Sequence, residues 1–116
     1  MSIPNLSFLV LTALADEPQH GYGVLQEIEA MTSGQTQPAV ATLYRTLERL
    51  AGDGLVEESG TEVVDGRFRR SYRLTRPGAD TLAAEAAARA STARLATKRL
   101  KNANLGPNTG LAGGLA

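Results

Sequence analysis

The feature that most constrains the fold is a change of hydrophobic spacing within residues 38–75. Val40, Leu43, Leu47 and Leu50 recur at steps of three and four, so Pro38 to Leu50 reads as an amphipathic helix with one apolar stripe. Thr42, Arg45, Thr46 and Arg49 repeat at the same spacing about half a turn away, forming a polar face of hydroxyls and guanidinium forks. Gly52 and Gly54 punctuate the helix end. Beyond them the spacing falls to two: Leu55-Val56 opens a strand, and Phe68, Tyr72 and Leu74 alternate with Arg69, Ser71 and Arg73 on a returning strand. Asp65-Gly66 is a turn signal in a tip spanning residues 59–67. Arg70 shares parity with the apolar set and is expected where that face runs out into solvent.

The flanks supply helices. Leu6, Leu9, Val10, Ala13 and Leu14 predict a first helix over residues 5–15, stopped at Asp16-Glu17-Pro18. Tyr22, Leu25, Ile28 and Met31 predict a second, led in by Gln19-His20-Gly21 and ending before Ser33-Gly34. Pro38 suits the first turn of the third helix, where a missing N–H is not needed. Thr75 caps a last helix with Pro77 in its first turn, running through alanine-rich sequence to Lys101. Residues 102–116 are Gly- and Asn-rich without periodicity and read as a disordered tail. The predicted fold class is mainly α with a small β-hairpin. A winged helix-turn-helix domain spans residues 1–75, one long C-terminal dimerisation helix spans 76–101, and the tail follows.

Composition removes several functions. A chain of 116 residues has room for a single modest core. The absence of Cys excludes cysteine zinc sites, and His20 as the sole His leaves almost nothing for a histidine metal cluster; no catalytic constellation can be assembled, so no metal, no cofactor and no enzyme is expected. No apolar run reaches the ~20 residues of a membrane span, and no Lys or Arg precedes Arg45 to open a signal peptide, so a cytoplasmic location is expected. The net charge is zero but segregated. Residues 1–66 carry two arginines against ten acids, whereas residues 67–101 carry ten bases against two acids. A local basic face is all that phosphate contact requires.

A helix with one face for a core and the other for acceptors suits the DNA major groove. Thr42 and Arg45 lie nearest the half that reaches base edges, with Thr46 and Arg49 behind them and Pro38 and Ala39 at the helix start. Tyr44, at the edge of the apolar stripe, is half core residue and half phosphate contact. Arg67, Arg69 and Arg70 on the wing would follow the backbone or enter a narrow minor groove; Arg73, deeper in the strand, is structural. Tyr22 is assigned to the same surface. Gly21 and Gly23 mark a tight start to the second helix, serving either a plain turn or a phosphate facing backbone N–H groups. His20 suits a cap for that helix, with a pH or ligand switch as the other reading.

Specificity from a winged helix normally needs two copies on a two-fold site. Ala79, Leu82, Ala86, Ala93, Ala96 and Leu100 follow alternating steps of three and four, interrupted by Arg89. This packing seam, supplemented by Leu6, Leu9 and Val10 of the partner's first helix, predicts a homodimer.

The order His20-Gly21-Tyr22-Gly23, Thr42-Leu43-Tyr44 with Leu47 and Leu50, Gly54-Leu55-Val56, and Arg70-Ser71-Tyr72-Arg73-Leu74-Thr75 resembles the PadR family of bacterial transcriptional regulators over roughly residues 5–101. The resemblance implies a winged-helix repressor that dimerises through its C-terminal helix and is often released from DNA by a small molecule. Arg45 stands where many members carry Pro, so operator preference does not transfer. A single helix after the wing is similar to the short-tailed subgroup. The expected function is a homodimeric regulator, a repressor on an inverted repeat of double-stranded DNA, with an unidentified effector. The alternatives are a ligand-responsive, multidrug-type regulator of the same fold and a winged-helix protein-interaction module without DNA binding. The aromatics Phe8, Tyr22, Tyr44, Phe68 and Tyr72 all fall in the winged module, which disfavours a flat-aromatic drug site at the dimer seam.

Overall fold

The computed structural model describes residues 3–106. Its elements are α1 (Asn5–Leu14), β1 (Gln19–His20), α2 (Gly21–Met31), α3 (Val40–Gly52), β2 (Val56–Val64), β3 (Arg67–Leu74) and α4 (Arg76–Asn102). The strands form one antiparallel sheet in the order β1-β3-β2. The chain divides into two compact units between Ala86 and Ala87.

The first unit is built on three helices closed by the sheet. Val10, Leu11 and Leu14 of α1, Val24 and Ile28 of α2, and Leu43, Leu47 and Leu50 of α3 enclose one core with Val56 and Tyr72. α3 has no side-chain cap at its N-terminus. Burying each of its three leucines contributes ~1.5–3 kcal/mol, against ~1 kcal/mol for a typical cap, so the stripe and not the terminus makes this helix. Its exit is tightly specified. Gly54 has φ +77°, Leu55 N–H donates to the Leu50 carbonyl at 2.9 Å, and Gly54 N–H donates to Ala51 at 3.0 Å. This 6→1 and 5→2 pairing needs a left-handed residue at Gly54.

Four expectations change. α3 begins at Val40 with Ala39 as N-cap, so Pro38 precedes the helix and does not occupy its first turn. Val40 leaves the stripe and is 56% exposed, because it lies at the helix mouth beyond the core, while Thr46 joins the stripe and is buried. In α2 the buried side is Gly21, Val24 and Ile28, which turns Tyr22 and Met31 outward. Gly21 is invisible as an apolar residue, so the spacing of the larger side chains points about one position away from the buried side. The hairpin is longer than expected, with its turn confined to Asp65 (φ +51°) and Gly66 (φ +76°), as a two-residue primed turn demands. Phe68, paired with Val63 close to this turn, lies past the core and is 82% exposed.

β1, unforeseen, pairs Gln19 with Tyr72 and His20 with Ser71, and the Gln19 side-chain amide donates to the Ala13 carbonyl at 2.7 Å. At the other end of the sheet, Thr75 caps α4: its hydroxyl accepts from Gly78 N–H at 3.1 Å and donates to the Gly54 carbonyl at 2.6 Å. Leu82 packs against the core and Glu85 is buried, so the first turns of α4 belong to the first unit. α4 continues to Asn102, and residues 103–106 form no helix or strand. Most of the tail expectation, residues 107–116, lies outside the described residues. Thr75→Ala removes both hydroxyl bonds and is expected to cost ~1–2 kcal/mol in urea unfolding, whereas Thr75→Ser should cost a fraction of that.

Candidate nucleic-acid interface

On α3 the exposed residues are Val40, Ala41, Arg45, Glu48, Arg49, Ala51 and Gly52, with Thr42 and Tyr44 half-buried beside them. Arg45 Nη2 donates to Thr42 Oγ1 at 3.3 Å, which draws the guanidinium back along the N-terminal half of the helix. Thr46, expected on this face, points inward, and its hydroxyl donates to the Thr42 carbonyl at 2.9 Å. The buried donor is thereby satisfied within the helix, and Thr46 is withdrawn from the contact surface. Ala39 is exposed and Pro38 half-buried at the mouth of the helix.

The wing carries acids as well as arginines, and the pairing among them decides which charges face outward. Glu57 accepts from Arg73 Nε and Nη2, both at 2.7 Å, across their register pair. Glu58 holds Arg70 at 3.3 Å. The Tyr72 hydroxyl, and after it the Glu58 carboxylate, raise the Arg70 guanidinium above its ordinary pKa. Arg70 is exposed, as expected for a residue at the edge of the apolar face. Arg45, Arg49 and Arg67 are exposed and make no ion pair among the described residues.

The sheet brings the start of α2 against the wing. His20 Nδ1 accepts from Gly23 N–H at 3.0 Å, the helix cap expected of it. That bond puts the ring proton on Nε2, which stands 3.5 Å from Glu62 of β2. The His20 ring stacks on Tyr22 with centroids 6.3 Å apart, and Arg69 lies over the other aromatic partner, 5.4 Å from the Tyr22 centroid. Gly21 permits the approach of Tyr44: a Cβ there would sit 2.6 Å from the Tyr44 ring and hydroxyl. Tyr22, Tyr44 and Arg69, assigned from three separate segments, thus meet in one place. The His20–Glu62 pair had no signal in the sequence, because it depends on β1, a strand of two residues.

The dimerisation set divides. Leu6, Leu9 and Leu82 are half-buried against the core of their own chain. Val10 is fully enclosed there, so it cannot belong to a surface seam. In the second unit Ala93, Ala96 and Leu100 are exposed, as is Leu95 outside the expected seam, while Ala86 is exposed at the end of the first unit. No helix is long and apolar enough to cross a membrane, and no group of three or more metal-ligating side chains occurs among the described residues.

The sequence profile of the transcriptional regulator PadR-like family matches residues 10–84. Transcriptional regulator Rv3488 of Mycobacterium tuberculosis is 44% identical over 69 residues, which cover 60% of this chain and 61% of that protein. A PadR family transcription regulator from Clostridium difficile R20291 superposes with a TM-score of 0.71 at 18% identity, over 84% of this chain and 99% of that one. Bacillus subtilis PadR, solved in complex with operator DNA, gives a TM-score of 0.59 at 19% identity, over 67% of this chain and 44% of the other. These structural likenesses concern the fold.

The cap on α2 separates two roles of His20. His20→Ala is expected to lower stability by ~0.5–2 kcal/mol, and His20→Asn, whose carbonyl can take the same Gly23 N–H, should recover most of it. Equal losses in urea unfolding would remove the capping role.

Proposed function

Because the chain belongs to the PadR-like family of transcriptional regulators, we propose that it is a sequence-specific DNA-binding regulator acting in the cytoplasm as a homodimeric repressor on an inverted-repeat operator. The observation that carries this reading is the set of exposed, ion-pair-free arginines on α3 and the wing. Arg45 and Arg49 on one element and Arg67 on the other offer forks to acceptors that the protein itself does not supply. Of the wing acids, Glu57, Glu58 and Glu62 meanwhile lie against Arg73, Arg70 and His20 in turn, which limits their repulsion of a phosphate backbone. Thr42 and Arg45, coupled to each other, are the base-edge pair; Ala39 and Pro38 let the strand approach the helix mouth; Arg49, Arg67, Arg70, Tyr22 and Tyr44 serve the backbone. That PadR of Bacillus subtilis was solved with operator DNA supports the same use of the fold. Selection of bound sequences from a random duplex pool tests the proposal: an inverted repeat is expected, and a pool without enrichment would favour a protein-interaction module.

Two variants separate reading from attraction. If the dimer neutralises ~6–8 phosphates, log K against log salt falls with a slope of about −5 to −7. Arg67→Ala combined with Arg70→Ala should weaken binding to every sequence alike and flatten that slope. Arg45→Ala should instead cost ~1–3 kcal/mol on the selected operator and relax preference at one base pair per half-site. Equal loss on operator and random DNA would make Arg45 a backbone contact.

Assembly is best probed away from the core. Leu82 supports its own winged unit, so charging it would mix folding with association. Leu100, 64% exposed, does not have that defect. Leu100→Asp is expected to give monomers in sedimentation at micromolar concentration and to abolish operator binding, with an unchanged melting temperature for the winged unit. A variant that stays dimeric would rule out the C-terminal seam.

A further inference from the structure

Between the first turn of α2, the N-terminal half of α3 and β3 lies a cavity of about 210 Å³. Tyr22, Leu25, Val40, Leu43, Tyr44 and Arg69 line it, and no carboxylate does. The Arg69 guanidinium makes no ion pair among the described residues, and its Nε is buried without a hydrogen-bond partner. A buried cationic N–H left without an acceptor is costly, and stacking on Tyr22 does not supply one. The Tyr22 and Tyr44 hydroxyls likewise have no hydrogen-bond partner among the described residues. Three donor-bearing side chains therefore line a space whose remaining wall is aliphatic.

We propose that this cavity is a seat for an organic oxyanion, with the Arg69 guanidinium and the two tyrosine hydroxyls on the charged end and Leu25, Val40 and Leu43 against the carbon body. Its volume is below the ~300–1,000 Å³ of sites for drug-sized molecules, so it takes one phosphate or carboxylate with a small apolar attachment. Two sources present that chemistry. One is a phosphodiester of DNA lying across α2 and α3, which rests on the DNA-binding reading above. The other is a free small acid, whose occupancy would contest the same face. Gly21 keeps the seat open, since a side chain there would drive into Tyr44.

The Arg Nε–H resonances of the ¹⁵N-labelled full chain give a direct readout, with Arg69 assigned by its loss in Arg69→Lys and Arg73 and Arg76, both in ion pairs elsewhere, as references. Phenyl phosphate and a DNA duplex are titrated separately, and fluorescence anisotropy of the same duplex reports binding independently. A selective shift of Arg69 with the duplex alone assigns the seat to the DNA backbone. A selective shift with phenyl phosphate alone assigns it to a free acid. Shifts with both, together with displacement of the duplex by phenyl phosphate, assign a shared seat. In each supporting case Tyr44→Phe should weaken the responsible interaction roughly tenfold. If anisotropy shows the duplex bound while Arg69 responds to neither probe, or all arginines shift together, the seat is overturned and the DNA-binding reading stands. If Arg69 is silent and the duplex also fails to bind, both fall.

Discussion

The Thr75 hydroxyl receives Gly78 N–H and donates to the Gly54 carbonyl, while the Thr75 N–H donates to Leu55. Three pieces of chain converge on this residue: the exit of α3, the base of the wing and the start of α4. Gly78 has to lack a side chain because a Cβ would drive into the Leu55 carbonyl, and Gly54 has to turn left-handed to deliver its carbonyl. None of these bonds contributes more than ~1–2 kcal/mol alone. Their weight is geometric, because the angle between α3 and the wing is set where the two are joined. An arginine on α3 and an arginine on β3 can serve one ligand only if that angle is held.

The charges obey a similar economy. A chain of zero net charge would attract nothing at a distance beyond a Debye length of ~8–10 Å. Close to the surface the local arrangement decides. Glu57 lies within ion-pair distance of Arg73, Glu58 of Arg70 and Glu62 of His20. Such exposed pairs add little stability, but they leave Arg45, Arg49 and Arg67 among the exposed charges that no ion pair occupies.

Much of this was legible in the sequence where a period longer than one turn repeats. Leu43, Leu47 and Leu50 are buried as their spacing required, and the helices, hairpin and Thr75 cap follow the predicted order. Three kinds of information were not legible. A stripe gives a direction and not an extent, so Val40 and Phe68 kept the right parity yet lay beyond the core. A threonine can be polar on paper and apolar in place, since Thr46 satisfies its hydroxyl on its own helix. And a leucine or valine can be claimed by only one surface: Val10, assigned to a partner, is fully used by its own chain. At the interface, Arg45 and Arg49 were found from helical spacing, but the meeting of Tyr22, Tyr44 and Arg69 was not. It depends on β1 and on the missing side chain of Gly21, neither of which leaves a pattern.

The register of the wing contains an irregularity at Ser59: Glu58 pairs with Tyr72, and Gly60 already pairs with Ser71. Such a bulge places two residues opposite one and exchanges the faces of everything beyond it. In a register without the bulge, Glu62 would stand across from Phe68, and Thr61 would take its place across from Arg69, on the face of His20. The length of β2 therefore acts as a parity bit. The bulged residue determines whether the wing shows the α2 turn an acid or a threonine, so a slip of one register position would invert a surface while leaving the amino-acid sequence unchanged.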